Sequence, residues 1–370
     1  MRIPVNEPII SPLAKNYVLD CLDTGWVSSA GTYITRFEKD FADYIGVKYA
    51  TAVSNGTTAL HLALDAIGLK PGDEVIIPNL TIISCALAPI YLQAKPVLVD
   101  VQRETGNLDP KQLESQITKK TKAIMIVHLY GHPVDFDEIK LIAQKYNVPI
   151  IEDAAEAHGA RYKNQAAGSL GDIACFSFYA NKIITTGEGG MVVTNNKKYH
   201  EIIELKKNLA HSPKKRFFHE IIGYNYRLTN MQAALGAAHL QEIEAYIQKK
   251  RRMVELYNHH LADIPELILP AEKADVQSVF WMYNIRLKQK ANTSRDKLME
   301  QLAKKGIETR SYFHPMHMQP ILRSYVKKNQ KFPISEELAS SGFYLPSGLT
   351  ITENQIKYVA NELKKILHAE

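Results

Sequence analysis

Lys182 is the residue of this sequence whose setting most favours nucleophilic chemistry. An apolar and aromatic run, residues 174–179, precedes it, two isoleucines follow it, and a glycine-rich turn covers residues 186–190. Because an apolar setting removes water from an ammonium group, it lowers the pKa of the lysine and favours the neutral amine. That amine can form a Schiff base with an aldehyde cofactor. The alternative, a lysine with a buried stem and a solvated head, is commoner for an isolated lysine, so the neighbouring motifs must decide.

A candidate anion site lies at residues 54–58, Ser-Asn-Gly-Thr-Thr, where a predicted strand passes into a predicted helix. Free N–H groups and the helix dipole attract anions at such a junction. Gly56 lets the backbone approach a ligand, and Thr57 and Thr58 add hydroxyl groups. An ordinary helix cap with a glycine turn fits these residues equally well.

Asp153 ends the run Ile150-Ile-Glu-Asp, which has the composition of a buried strand. Open α/β sheets bind their ligands at the carboxyl ends of the strands. A carboxylate at that edge can hold a ring nitrogen in its protonated form, because opposite charge favours the charged state. The alternative role of Asp153 is to cap the turn that follows.

The elements that position these residues alternate between strands and helices from residue 50 onward. Strands are predicted at residues 51–54, 74–77, 96–101, 123–129 and 149–152, and helices at residues 56–67, 82–92, 110–117 and 135–146. This alternation predicts an α/β fold with a mostly parallel central sheet flanked by helices.

The rhythm changes after a last sheet strand at residues 191–194. A long alanine-rich helix is predicted over residues 227–248, continuing into a second helix, and the later elements are strands at 280–287 and 307–312 with a helix at 294–305 between them. We therefore expect a large domain at residues 1–248 and a smaller α+β domain at residues 249–370.

Composition and charge argue against a nucleic-acid-binding, disulfide-bonded, secreted or membrane-spanning protein. The net charge of +6 comes from scattered basic residues, with no patch or motif for nucleic acid. Three separated cysteines make a disulfide framework or a zinc site improbable and fit a reducing compartment. The start lacks the apolar core of a signal peptide, and prolines break the most apolar region, residues 75–101. We expect a cytoplasmic protein without a membrane or nucleic-acid partner.

In their order and spacing, the motifs resemble the fold-type I pyridoxal-phosphate (PLP) enzymes, and more narrowly the DegT-type nucleotide-sugar aminotransferases. The resemblance covers nearly the whole chain and is carried by Trp26-Val-Ser-Ser, Ser54-Asn-Gly-Thr-Thr-Ala-Leu, Glu152-Asp-Ala-Ala, Phe176-Ser-Phe-Tyr-Ala-Asn-Lys, Thr186-Gly-Glu-Gly-Gly and Gly223-Tyr-Asn-Tyr-Arg-Leu-Thr-Asn-Met-Gln-Ala-Ala-Leu-Gly. Within that family, Val127-His-Leu-Tyr-Gly, Val279-Phe-Trp-Met-Tyr and Ile307-Glu-Thr-Arg-Ser-Tyr-Phe-His-Pro-Met-His are most similar to the GDP-perosamine synthases.

The resemblance implies a role for each of five cofactor-binding residues. Lys182 would hold PLP as a Schiff base and then carry protons. Asp153 would pair with the ring nitrogen, which makes the ring an electron sink. Ser177 and Thr57, with the region of Gly56, would bind the phosphate.

Three further cofactor contacts follow from the same resemblance. Asn225 would reach the phosphate in the neighbouring subunit, which implies a homodimer with active sites at the interface. Glu156 would lie near the ring hydroxyl, where many relatives have glutamine. Ile82 stands where relatives place a stacking aromatic, so we expect weaker cofactor retention, by about 0.5–1.5 kcal/mol.

The resemblance also implies a substrate side. Trp26, Ser28 and His314 would contact the sugar nucleotide, although Trp26 fits a core position equally well. The spacing of His314 and His317 could suggest a metal pair, but cysteine or acidic ligands are missing nearby, so no metal is expected.

The implied reaction is transamination of the C4 ketone of a nucleotide-linked 4-keto-6-deoxyhexose. L-Glutamate would donate the amino group and generate the pyridoxamine phosphate (PMP) form. The favoured substrate is GDP-4-keto-6-deoxymannose, converted to GDP-perosamine for surface polysaccharide such as O-antigen. Three alternatives remain: a dTDP- or UDP-linked sugar, a PMP-dependent 3-dehydratase, and a catalytically idle regulatory or scaffold homologue. Lys182 argues against the dehydratase, which by resemblance has histidine there. A dinucleotide-binding enzyme is disfavoured because no GxGxxG motif follows the first strand.

Overall fold

The computed structural model describes residues 2–212, 214–215 and 217–368. Its helices in chain order are α1 (Pro12–Asp23), α2 (Thr32–Ile45), α3 (Gly56–Ala66), α4 (Ser84–Tyr91), α5 (Pro110–Leu113), α6 (Phe136–Tyr146), α7 (Lys197–Lys207), α8 (Asn230–Gln241), α9 (Ile243–Leu261), α10 (Arg295–Lys304), α11 (Pro333–Ser341) and α12 (Glu353–Leu367). Its strands are β1 (Tyr49–Val53), β2 (Glu74–Pro78), β3 (Lys95–Val99), β4 (Thr121–Val127), β5 (Ile150–Asp153), β6 (Arg161–Tyr162), β7 (Gln165–Ala166), β8 (Ile173–Ser177), β9 (Gly190–Thr194), β10 (Leu267–Ile268), β11 (Val276–Gln277), β12 (Tyr283–Leu287), β13 (Arg310–Ser311) and β14 (Gly342–Leu345).

A seven-stranded sheet, the central sheet, has the strand order β1-β9-β8-β5-β4-β2-β3. The pairs β2–β3, β2–β4, β4–β5 and β5–β8 are parallel, whereas β9 is antiparallel to both of its neighbours. The predicted α/β class with a mostly parallel sheet is therefore confirmed. In such a sheet the carboxyl ends of β4, β5 and β8 meet at one edge, which is where ligands bind.

Two apolar cores cover the two faces of this sheet, so its strands are buried on both sides. On one face, Phe37 and Phe41 of α2 pack edge-on or tilted against Phe176 and Phe178, with ring centroids 4.9–5.5 Å apart. On the other face, apolar side chains of α3 such as Leu62 belong to a buried cluster with those of β2 and β4. These two layers bury both faces of the sheet that positions the strand ends.

A second, antiparallel sheet has the order β10-β12-β14-β13 and packs against α9, α10 and α12. The predicted strand at 280–287 begins only at Tyr283, because Phe280 has a left-handed backbone with φ of 46°. The predicted strand at 307–312 is reduced to β13, because only Arg310 and Ser311 pair with β14.

The helix predicted over residues 227–248 is wrong in its bounds. Thr229 caps α8, whose first turn carries a capping box with Gln232, and the helix ends before Glu242. A new helix, α9, then runs from Ile243 to Leu261. The predicted domain boundary after residue 248 falls inside α9, and both outer ends of the predicted domains lie outside the described residues. The division into 1–248 and 249–370 stays a prediction.

Two further findings concern the cysteines and the membrane. The three cysteines, Cys21, Cys85 and Cys175, are free and buried. Within the described ranges, none of the helices has the length and apolar character needed to cross a membrane. The cytoplasmic location stays a prediction.

Candidate active site

A cavity of about 760 Å³, the reaction cavity, opens at the carboxyl ends of β4, β5 and β8. Its polar lining includes Thr57, Asp153, Glu156, Ser177, Lys182 and Arg310. Another cavity of about 760 Å³ lies between α9 and the segment 348–353, and none of the predicted site residues lines it. The first cavity is therefore the candidate active site, because it brings together motifs from four parts of the sequence.

Lys182 reaches into this cavity with a side chain that is only 10% exposed. Its Nζ lies 3.6 Å from Oε1 of Glu156 and 3.9 Å from the centroid of the Trp281 ring. Burial lowers the pKa of Lys182, while the charges of Glu156 and Asp153 oppose that change. The sequence predicted a lowered pKa for this amine, and the direction agrees. The surroundings of the amine differ from the purely apolar setting that was expected. An aromatic face and carboxylates surround the amine as well as apolar groups.

Trp281 holds the segment that carries the lysine. Its ring Nε1 donates a 2.7 Å hydrogen bond to the carbonyl of Asn181, the residue before Lys182. Its backbone N–H donates to the carbonyl of Tyr130 at 3.0 Å. The motif at residues 279–283 marked the subfamily, but it gave Trp281 no role. Its position over Lys182 depends on a fold that joins residues far apart in the chain.

Asp153 is the last residue of β5 and is 3% exposed. One carboxylate oxygen accepts a hydrogen bond from Sγ of Cys85 at 3.0 Å, and the other accepts from the N–H of Ala155 at 3.1 Å. Both roles considered from the sequence, the sheet-edge ligand and the turn cap, are compatible with this arrangement, since each oxygen has its own partner.

Glu152 precedes Asp153 in β5 and therefore points to the opposite face of the sheet. It is fully buried and accepts hydrogen bonds from Nε2 of His128 and from the N–H groups of Gly168, Leu170 and Gly171, at 2.7–2.9 Å. Sequence reasoning assigned no role to it. These bonds fix the end of β5 from behind, so they position Asp153 indirectly.

Glu156 lies in the turn after β5 and is 6% exposed. Its Oε2 accepts a 2.7 Å hydrogen bond from the N–H of Tyr130, whose backbone is left-handed with φ of 53°. Burial raises the pKa of Glu156, and the charge of Lys182 opposes that rise. The negative charge of Glu156 therefore favours the protonated form of Lys182, and the positive charge of Lys182 favours the ionised form of Glu156.

The candidate phosphate site lies at the N-terminus of α3. Asn55 caps this helix through a capping box with Thr58, whose hydroxyl also donates to the carbonyl of Asn55 at 2.8 Å. Thr58 is therefore engaged in the cap, and it also lines the cavity, so its role as a hydroxyl donor to a ligand stays a prediction. Thr57 remains at the cavity, where its hydroxyl lies 2.8 Å from that of Ser84.

Ser177 completes this site from the end of β8. A Cβ added to Gly56 would lie 2.9 Å from Cβ of Ser177, so the close approach of α3 to β8 requires glycine. Amide groups of the helix terminus and the hydroxyls of Thr57 and Ser177 thus face one end of the cavity. This arrangement fits a phosphate group, and Lys182 and Asp153 line the same cavity, as a phosphorylated pyridine aldehyde requires.

A smaller cavity of about 520 Å³, the rim cavity, adjoins the reaction cavity. Ile82, Arg310, Phe313 and Tyr344 line both of them, and His314 lines the rim cavity. Ile82 is 41% exposed, so the position at which relatives carry an aromatic ring lies open at the mouth of the site.

Three predicted residues do not line the cavity of their own chain. Asn225 is exposed and accepts a 3.0 Å hydrogen bond from Nε of Arg227. Trp26 is 58% exposed, so the alternative that it belongs to the core is wrong for this chain. Ser28 is also exposed, and its carbonyl accepts from the N–H of Asn230. Their predicted roles in binding remain predictions.

The histidine pair considered for a metal has other partners. His317 bonds to Asn79 and Glu336 through its two ring nitrogens, and His314 is exposed at the rim cavity. In the part of the chain that the structure describes, no group of three or more His, Cys, Asp or Glu residues is arranged to hold a metal ion.

Comparison with known proteins extends over nearly the whole chain. The family model described as the DegT/DnrJ/EryC1/StrS aminotransferase family matches residues 8–364. A relative from Caulobacter vibrioides, named GDP-perosamine synthase, is 46% identical over 367 residues, which cover 99% of this chain and 98% of the relative. One of the same name from Escherichia coli O157:H7 is 43% identical over 363 residues, with 98% of each chain covered.

Solved structures give the same result for the fold. A crystal structure of DesI in the presence of its TDP-sugar product matches with a TM-score of 0.92 at 30% identity, covering 100% of this chain and 93% of that chain. The resemblance inferred from the motifs, and the fold-type I class that it implies, are therefore confirmed.

Proposed function

Because this chain belongs to the DegT/DnrJ/EryC1/StrS aminotransferase family, whose members are PLP-dependent, we propose that it aminates the C4 ketone of a nucleotide-linked 4-keto-6-deoxyhexose. The proposed amino donor is L-glutamate, and the proposed cofactor is PLP, with PMP as its aminated form. The favoured substrate is GDP-4-keto-6-deoxymannose and the product GDP-perosamine, for surface polysaccharide. Two relatives of that name, similar over the full chain, support this choice over a dTDP- or UDP-linked sugar.

The observation that carries the proposal is that Lys182 and Asp153 line one cavity together with the N-terminus of α3. When bound, PLP supplies an electron sink for the amino-group transfer. Lys182 would bind its aldehyde carbon, Asp153 would pair with its ring nitrogen, and the hydroxyls of Thr57 and Ser177 would bind its phosphate.

Proton transfer is the proposed second task of Lys182. Burial lowers the pKa of its amine, which favours the neutral form of Nζ that can accept a proton. Glu156, 3.6 Å away, keeps a compensating negative charge beside Nζ when the amine is protonated. The indole of Trp281 covers the same amine and limits its contact with water.

The proposed active unit is a homodimer in which Asn225 acts on the neighbouring subunit's cofactor. Asn225 is exposed and does not line its own cavity, which supports a contact outside its own chain. The segment before it exposes apolar side chains, with Ile222 79% and Ile221 49% exposed. Exposed apolar groups of this kind are typical of an interface.

The test is product formation by the full chain loaded with PLP and supplied with L-glutamate. GDP-4-keto-6-deoxymannose and a dTDP-linked 4-keto-6-deoxyglucose are offered in separate reactions, and mass spectrometry detects the amino sugar. The proposal predicts conversion of the GDP-linked sugar at the higher kcat/KM. A higher kcat/KM for the dTDP-linked sugar would mean that the substrate is the dTDP-linked sugar. If neither sugar is converted and glutamate is not consumed, the result would favour the catalytically idle homologue.

A further inference from the structure

Arg310 is a cation of the active site to which the sequence motifs gave no role. It lies in β13, is exposed, and lines both the reaction cavity and the rim cavity. Among the described residues that line the reaction cavity, Lys182 and Arg310 are the only cationic side chains. Lys182 must lose its proton to react, whereas arginine remains charged at any physiological pH. Arg310 therefore supplies the fixed positive charge of the cavity.

The fold leaves this guanidinium available to a ligand. Arg251 and Arg295 form ion pairs with Glu272 and Asp296. In contrast, Arg310 forms no ion pair with any carboxylate in the described part of the chain. Its partner across the ladder is Tyr344, which lines the same two cavities. The charge of Arg310 opposes the burial-driven rise in the pKa of Tyr344. The same charge reaches Glu308, but the ion pair of that carboxylate is with Arg2.

The charge balance of the site creates a need for such a cation. Among the residues that the structure describes, three acidic side chains, Asp153, Glu156 and Glu188, line the reaction cavity. Both substrates of the proposed reaction are anions, since glutamate carries two carboxylates and a nucleotide sugar carries a diphosphate. Acidic walls repel such ligands unless a cation offsets them. Arginine suits this task because its planar donors match the paired oxygens of carboxylates and phosphates.

We propose that Arg310, at the junction of the two cavities, is the subsite that binds the anionic oxygens of the substrate reacting at Lys182. The group bound is the carboxylate of the amino donor, the diphosphate of the nucleotide sugar, or each in turn. The rim cavity extends the site beyond Arg310 toward His314 and gives the rest of a nucleotide sugar room. This inference rests on the proposed function, because it takes its ligands from that reaction.

The experiment compares the full chain, loaded with PLP, as wild type, Arg310→Gln and Arg310→Lys. The matched control is Arg323→Gln, because Arg323 is exposed and lines neither cavity. One arm titrates L-glutamate and follows the visible absorption of bound PLP. The other arm titrates GDP by calorimetry and needs no turnover. Thermal melting of each variant shows that folding is unchanged.

Arg310→Gln is expected to raise the half-saturating concentration of glutamate, or the dissociation constant of GDP, at least tenfold. Arg310→Lys should lie between Arg310→Gln and wild type, because lysine keeps the charge but loses the planar donors, and Arg323→Gln should match wild type. An effect on glutamate alone identifies the carboxylate as the bound group, and an effect on GDP alone identifies the diphosphate. Wild-type behaviour of Arg310→Gln in both arms would overturn the subsite.

The two arms also separate this subsite from the proposed function. If glutamate leaves the spectrum of the wild type unchanged, the proposed function fails, and the GDP arm still decides the role of Arg310. A wild-type chain that binds neither probe would overturn both.

Discussion

The amine of Lys182 lies on the face of the Trp281 ring, with 3.9 Å between Nζ and the ring centroid. The same indole donates its N–H to the carbonyl of Asn181, so one side chain fixes both the backbone before the lysine and the end of its side chain. The negative face of the ring favours the protonated amine, whereas burial favours the neutral amine. The proton affinity of Lys182 is therefore a balance that Trp281 helps to set.

Replacing Trp281 should shift that balance in a known direction. Trp281→Leu removes both the ring face and the N–H donor, and Trp281→Phe keeps a ring. Because a cation–π contact contributes about 0.5–2 kcal/mol, its loss should lower the pKa of Lys182 by up to about 1.5 units. The measurement is the pH dependence of the rate at which apoprotein captures PLP, since only the neutral amine reacts. The midpoint should fall more in Trp281→Leu than in Trp281→Phe.

An unchanged midpoint in Trp281→Leu, with the variant still folded, would contradict the electrostatic role of Trp281. A slower capture at every pH without a shift of the midpoint would leave Trp281 with a purely geometric role.

Glu156→Gln should move the same midpoint downward. The carboxylate raises the pKa of Lys182 against the effect of burial, so a neutral amide lets burial dominate. Capture of PLP by the variant should therefore reach its maximum at a lower pH than in wild type. Glu188→Gln is the matched control, because Glu188 lines the same cavity without an ion pair to Lys182 in the described structure. Equal shifts in both variants would show that the 3.6 Å contact is irrelevant.

Ile82→Tyr should tighten the retention of PLP. Ile82 lines the mouth of the reaction cavity and is 41% exposed, so a ring has room there. An aromatic pair contributes about 0.5–1.5 kcal/mol, which corresponds to roughly two- to tenfold tighter binding. Equilibrium dialysis of PLP measures it, with Ile82→Leu as an apolar control without a ring. Equal retention by the two variants would show that stacking at position 82 is not available in this site.

Lys250 should make the free energy of unfolding depend on pH in the neutral to alkaline range. It is 2% exposed in α9 and donates to the carbonyls of Trp281 and Ser347. Burial lowers its pKa to about 7. An unfolded lysine has a pKa of about 10.4, so between these values the unfolded chain holds a proton that the folded chain has lost. The free energy of unfolding from this group therefore rises with pH, by up to about 1.4 kcal/mol per unit.

Urea unfolding at pH 7.5 and 9.5 tests this dependence. The unfolding free energy of wild type minus that of Lys250→Met should increase by about 2–3 kcal/mol from pH 7.5 to pH 9.5. Lys249→Met is the control, since Lys249 is exposed and should give a difference that does not change with pH. A constant difference for Lys250→Met would mean that the buried amine stays charged in the folded protein.

Local sequence patterns predicted the parts of the site that lie at strand ends. An apolar run that ends in a polar residue places Asp153 at the end of a strand, and the structure has it there, as the last residue of β5. The N-terminus of α3 followed from its glycine and threonines in the same way. Ser177 entered the prediction only through the family resemblance, and it is the last residue of β8.

Trp281 and Arg310 could not be found by that reasoning, because their contacts with the site come from chain segments that meet it only after folding. The backbone departs from the local pattern there as well. A left-handed residue, Phe280, stops the predicted strand just before Trp281, and Arg310 belongs to a strand of two residues. Hydrophobic periodicity does not detect either feature.

The aminotransferase role of Lys182 is tested by the visible absorption spectrum of the full chain loaded with PLP, before and after adding L-glutamate. We expect an absorption band of bound PLP that glutamate removes, and that the Lys182→Ala protein never shows. A wild-type protein that never shows the band would contradict the role of Lys182. A band that glutamate leaves unchanged would contradict the aminotransferase reaction.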